Sequence, residues 1–283
     1  DISYRNAILD SSYLDNNNLA IVTVGGLQVF TKYGEKVNHP LLGGRGMITM
    51  FDNEVGGSLK DRCVETFAGV SVNTKEDVVA MTERRSDQGY LNIWHLVANN
   101  WQFNRYEISH RPWHVAILSN GQYVIAGFNC YRYKYNESCK MIWCKTSCDV
   151  LDITVDNTID SILIIDGNKF VLFLDSSSDV LLSISLSASM LKPRGLSVDK
   201  EGNLVICKGE SNPVLLFNNQ YQFVRKLVIR NLSSYRIALC DNKYLTICDK
   251  RSKVVYTYCT DNNSGKREIN NLVIINEDLH TIV

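Results

Sequence analysis

Short apolar runs cut by Gly, Asn, Asp and Pro recur along the whole chain. The clearest group is Leu191–Ile229. Its runs are Gly195–Asp199, Leu204–Cys207, Pro213–Phe217 and Phe223–Ile229. They are separated by Lys200-Glu201-Gly202-Asn203, by a loop holding Gly209, and by Asn218-Asn219-Gln220. This pattern predicts four strands joined by tight turns. One such meander cannot bury both of its faces, so it needs neighbours like itself.

The chain supplies them. Gly195–Asp199 followed by Leu204–Cys207 has counterparts in Arg236–Asp241 with Tyr244–Cys248, and in Asp152–Asp156 with Ile162–Asp166. Others are His114–Ile117 with Tyr123–Ala126, Gly69–Val72 with Val78–Met81, and Arg5–Ile8 with Leu19–Val22. Aligning Val70, Val115, Ile153, Leu196 and Ile237 gives steps of 45, 38, 43 and 41 residues. The step from Asn6 to Val70 is longer, at 64. Repeated four-strand units at this period predict an all-β fold, a six-bladed β-propeller of four-stranded antiparallel blades, as a single domain over 1–283.

The predicted blades run Tyr4–Leu42, Phe67–Ser109, Arg111–Lys145, Val150–Leu186 and Leu191–Ile229, with the sixth from near Ser234. The end fits two patterns. Leu272–Ile275 suits a fourth strand of blade six, but Asn271–Val283 also resembles the start of a further blade. Ring closure stays open at this point.

Composition narrows the functional classes. The 283 residues carry 30 basic and 30 acidic side chains, so overall charge predicts no polyanion partner and any basic surface must be local. No apolar run approaches the length of a membrane span, so no membrane partner is expected. The chain opens Asp1-Ile2-Ser3, which predicts a domain excised from a larger protein. Nine Cys is an odd number, and several sit in apolar runs, which predicts free thiols and a cytoplasmic location. Cys130, Cys139, Cys144 and Cys148 lack C-x-x-C spacing and predict no zinc site. The Gly-rich stretch Gly43–Ser58 lacks a P-loop Lys and reads as an interblade loop. Glu83–Asp87 reads as a solvated hairpin tip. Tyr131-Arg132-Tyr133-Lys134-Tyr135 alternates rings and cations, and reads as a half-buried outer strand or a nucleic-acid stripe.

Blade five also carries a resemblance. Pro193-Arg194-Gly195-Leu196-Ser197-Val198-Asp199-Lys200-Glu201-Gly202-Asn203-Leu204-Val205, then Val214–Phe217 and Phe223–Leu227, is similar to an NHL repeat. Pro112-Trp113-His114-Val115 with Asn120–Val124 is a second copy, and the other blades match mainly in hydrophobic spacing. The chain thus resembles the C-terminal propeller of TRIM-NHL proteins. That resemblance implies a binding domain that recognises single-stranded RNA in post-transcriptional regulation. Its alternative is a protein-interaction platform, recruiting a substrate or partner for a ubiquitin ligase.

The repeat alignment nominates the residues that would do this. At the position of Arg194 stand Tyr4, Ala68, Trp113, Leu151 and Tyr235. At that of Gly195 stand Arg5, Gly69, His114, Asp152 and Arg236, and Arg111 and Lys192 share a third position. The candidate binding ring is therefore Tyr4, Arg5, Arg111, Trp113, His114, Lys192, Arg194, Tyr235 and Arg236. Cations neutralise phosphates, and rings and guanidinium planes stack on bases. Arg, Tyr and Trp also serve protein-binding hot spots. An enzyme is not expected: no Ser-His-Asp or paired-carboxylate arrangement stands out, and of five His only His114 falls in the ring. No cofactor and no small-molecule substrate are expected.

Overall fold

The computed structural model describes residues 8–13, 18–23, 26–31, 66–73, 78–85, 88–98, 100–108, 112–127, 131–136, 138–146, 150–166, 170–186, 193–208, 214–227, 234–240, 244–249, 254–259 and 273–275. They form six antiparallel sheets in chain order, the blades of a β-propeller. Blade one holds β1 (Ile8–Tyr13), β2 (Asn18–Thr23) and β3 (Gly26–Thr31). Blade two holds β4 (Thr66–Asn73), β5 (Val78–Arg85), β6 (Gln88–Val97) and β7 (Asn100–Ile108). Blade three holds β8 (Pro112–Ile117), β9 (Tyr123–Gly127), β10 (Tyr131–Tyr135) and β11 (Met141–Thr146). Blade four holds β12 (Val150–Asp156), β13 (Ser161–Asp166), β14 (Phe170–Leu174) and β15 (Val180–Ser185). Blade five holds β16 (Pro193–Val198), β17 (Leu204–Lys208), β18 (Val214–Phe217) and β19 (Phe223–Leu227). Blade six holds β20 (Ser234–Cys240), β21 (Tyr244–Asp249), β22 (Val254–Cys259) and β23 (Val273–Ile275).

The ring closes without a further blade in the described residues. First strand β1 packs against both β4 and β20. The Tyr13 hydroxyl and Thr246 Oγ1 meet at 2.6 Å, buried between the first and last blades. Val273–Ile275 pairs with β22, so it is the fourth strand of blade six.

The core lies between blades, because each sheet has two faces to bury and only its neighbours can cover them. Leu163, Ile165 and Phe173 of blade four interlock with Leu196, Leu204 and Ile206 of blade five. Equivalent clusters join blades two and three, three and four, and five and six. Burial of each such side chain is worth about 1.5–3 kcal/mol.

The turns repeat one design. Asp199 Oδ1 accepts from the Glu201 and Asn203 amides while Gly202 takes φ 84°. Asp175 and Asn218 cap the tips before β15 and β19 in the same way, with Ser178 and Tyr221 at positive φ. A short polar side chain that holds its own turn, followed by a left-handed residue, fixes strand register.

Three local expectations change. Glu83 lies within β5, not at a solvated tip, and is 1 % exposed. It accepts from Arg105 Nη2 at 2.5 Å and from Asn92 Nδ2 at 3.0 Å, and these two donors offset its desolvation. Tyr131–Tyr135 is a third strand, not an outer one, and its Lys134 and Tyr135 are buried. Lys134 Nζ donates to the Ser176 carbonyl of blade four at 2.9 Å. Finally, the first strand of blade one is Ile8–Tyr13, displaced along the chain from the predicted Arg5–Ile8.

Candidate functional site: the ring of first-strand bulges

Every innermost strand carries the same irregularity. Its pairing with the second strand skips one residue, between Ile8 and Asp10, Phe67 and Gly69, and Pro112 and His114. The same skip falls between Val150 and Asp152, Pro193 and Gly195, and Ser234 and Arg236. The extra residues are Leu9, Ala68, Trp113, Leu151, Arg194 and Tyr235. A bulge bends its strand and re-aims a side chain, and bulges concentrate at barrel rims and beside sites. These six mark one end of the propeller, here the upper end. The hairpin turns between first and second strands mark the lower end.

The row of extra residues matches the sequence alignment in five blades and corrects it in the first. There the row holds Leu9, and the next row holds Asp10, in place of Tyr4 and Arg5. The reason is that Ser11 fills the buried position taken elsewhere by Val70, Val115, Ile153, Leu196 and Ile237, so the apolar pattern misleads. Tyr4, Arg5, Arg111 and Lys192 lie outside the described residues. Trp113 and Arg194 stand in the upper row, half-buried, with Leu151 between them. Tyr235 shares that row and Arg236 the next by backbone position.

The second row joins blade to blade. A Cβ on Gly69 would fall 2.8 Å from the His114 backbone Cα, so blades two and three approach too closely there for a side chain. His114 is 1 % exposed, its ring 6.0 Å edge-on from Trp113, and its Nδ1 lies 3.7 Å from Asp152 Oδ1. Asp152, 6 % exposed, accepts from its own following amide, Ile153, at 3.0 Å and from Leu196 of blade five at 2.8 Å. The expected ring member His114 is thus buried in a seam beside Asp152. One turn lower the device recurs. Ser71 Oγ accepts from the Ile117 amide and Ser197 Oγ from the Leu239 amide, each in the following blade. Innermost strands are edge strands, and their open amides need partners. The sequence shows these positions but not their facing, because a polar residue at a strand end serves a seam or a ligand equally well.

The upper row is therefore mainly apolar and aromatic, with one cation at Arg194. By backbone position the second row holds Asp10, Gly69, His114, Asp152, Gly195 and Arg236. Among the described residues no group of three His, Cys, Asp or Glu could hold a metal ion.

No protein-family model matches the sequence, and no curated protein matches it. Solved structures do resemble the fold. A streptogramin B lyase superimposes with TM-score 0.62 at 10 % identity, covering 92 % of this chain and 82 % of the lyase. The WD40 propeller domain of Doa1 gives 0.60 at 13 % identity, covering 94 % and 82 %. The propeller domain of Myceliophteria thermophila Cps50 (Swd1) gives 0.60 at 7 %, covering 90 % and 96 %. Identities this low establish a β-propeller and nothing finer.

Proposed function

We propose that this chain is a non-enzymatic binding domain that holds a protein or peptide on its upper face, as an interaction platform within a cytoplasmic protein. The observation that carries this reading is the make-up of the bulge row. Trp113, Tyr235 and Arg194 are residue types enriched in protein hot spots, and by backbone position they share one row with Leu9 and Leu151. A lyase among the neighbours shows that this fold also carries catalysis, but here the ring histidine is buried against a carboxylate.

Single-stranded RNA is the second reading, and the NHL resemblance of blade five supports it. Trp113, Arg194, Tyr235 and Arg236, joined by Arg111 and Lys192, would stack on bases and meet phosphates. Two selections with the purified domain separate the readings, one from a random RNA pool and one from a displayed peptide library. Peptide enrichment that Trp113→Ala and Arg194→Glu abolish supports the platform. RNA enrichment with a salt slope that falls by about one unit on Arg194→Glu supports the second reading. Enrichment of neither, with intact thermal stability, overturns both.

A further inference from the structure

The lower end of the propeller carries a repeated feature that the upper face does not use. In blades three, four and five the outermost strand starts with two apolar residues, Met141-Ile142, Val180-Leu181 and Phe223-Val224. All six are between 49 % and 62 % exposed. In each pair the second residue is the extra one of a bulge, because pairing skips Ile142, Leu181 and Val224. Outer edges are ordinarily guarded by charge or proline, and a bulge there serves to turn the edge away. Here three consecutive blades aim apolar side chains outward at the same place.

The residues just before two of these pairs settle which occupant fits. Lys140 precedes Met141 and Asp179 precedes Val180, both exposed and at equivalent turn positions of adjacent blades. A surface with apolar pairs flanked by one base and one acid at equivalent positions is complementary to itself when turned by a two-fold axis. The two blades are also held rigidly. Lys134 Nζ reaches the Ser176 carbonyl at 2.9 Å, and Ser119 Oγ donates to Asp160 Oδ1 at 2.8 Å, each from blade three to blade four. Equal numbers of basic and acidic residues, 30 each, leave no net repulsion between copies.

We propose that the lower rim of blades three and four is a homodimer interface, with Lys140 of one copy against Asp179 of the other. The pairs Met141-Ile142 and Val180-Leu181 form its centre, and Phe223-Val224 extends it at one side. The upper faces stay open, so a dimer presents two binding sites at once and gains avidity for a divalent ligand.

Sedimentation velocity across a concentration series tests this, with the unaltered chain, Leu181→Lys, Lys140→Asp, Asp179→Lys, and an equimolar mixture of the last two. The expected result is a concentration-dependent dimer. Leu181→Lys and each charge reversal alone should raise its dissociation constant at least about tenfold. The mixture should restore association, because each reversed charge then meets its opposite. All three positions are exposed, and unchanged melting temperatures confirm that the variants fold. A monomer at every concentration, or a mixture no better than its components, overturns the proposal. Apolar pairs that bind lipid vesicles or a different protein while the chain stays monomeric overturn it equally.

Discussion

The carboxylate of Asp152 in blade four accepts the backbone amide of Leu196 in blade five at 2.8 Å. One side chain thus completes the hydrogen bonding of an edge strand in the next blade. Its other oxygen holds the Ile153 amide at 3.0 Å. Asp152→Ala would leave two amides at this buried seam without that partner. Each such loss costs about 1–3 kcal/mol. The expected outcome is a loss of that order in urea-unfolding free energy, with ligand affinity of the folded protein intact. A large affinity loss without a stability loss would instead make Asp152 a ligand contact.

Ring closure rests on a comparable bond. Tyr13 and Thr246 are 233 positions apart, and their hydroxyls meet at 2.6 Å in a buried setting. Tyr13→Phe and Thr246→Val each remove one partner and leave the other buried, so each should cost about 1–3 kcal/mol. The double variant should cost less than the sum, since neither hydroxyl then remains. A double-mutant cycle by chemical denaturation measures that coupling, and additive losses would count against a bond across the closure.

Much of this architecture is legible in the sequence, for identifiable reasons. A blade needs apolar runs on every strand and a turn residue at every tip, so Leu196, Leu204 and Phe217 with Asp199, Gly202 and Asn203 announce themselves. The hidden parts are polar residues in buried seams. Ser11 sits at a core position and shifts the reading of blade one by five residues, from Arg5 to Asp10. Glu83 reads as a loop because its partners Asn92 and Arg105 lie on other strands. His114 reads as a ring residue because only the fold brings Asp152 beside it. In each case the deciding contact is between strands or blades, and no local pattern encodes it.

Ser178 offers a test of turn strain. It takes φ 69°, a conformation that L side chains other than Asn and Asp adopt reluctantly, and its buried Oγ has no hydrogen-bond partner. Gly202 and Gly121 fill the corresponding left-handed positions elsewhere without side-chain strain. Ser178→Gly removes both penalties at some cost in chain entropy. The expected outcome is a gain of about 0.5–2 kcal/mol and a higher melting temperature by calorimetry. Ser178→Ala should gain less, because the backbone strain remains. If the glycine variant melts lower than the parent, this account of the turn is wrong.

The thiols of blade three should differ sharply in reactivity. Cys144 is an exposed free thiol on β11, whereas burial pushes the Cys139 thiol up to about 12. The thiolate is the reacting form, so at pH 8 Cys139 holds about a thousandfold less of it than an ordinary thiol. Iodoacetamide should therefore label Cys144 first and Cys139 far more slowly, with the Cys139 rate still rising above pH 10. Mass spectrometry of timed digests reads both rates. The same shift links to stability with a definite sign. Between the ordinary thiol range and about 12 the unfolded chain releases the Cys139 proton while the folded chain keeps it, so stability falls as pH rises through that window. Cys139→Gly should remove the Cys139 contribution to this slope and suits the positive φ of 54° at that position. Equal labelling of Cys139 and Cys144 at pH 8 would show that the turn before β11 opens freely in solution.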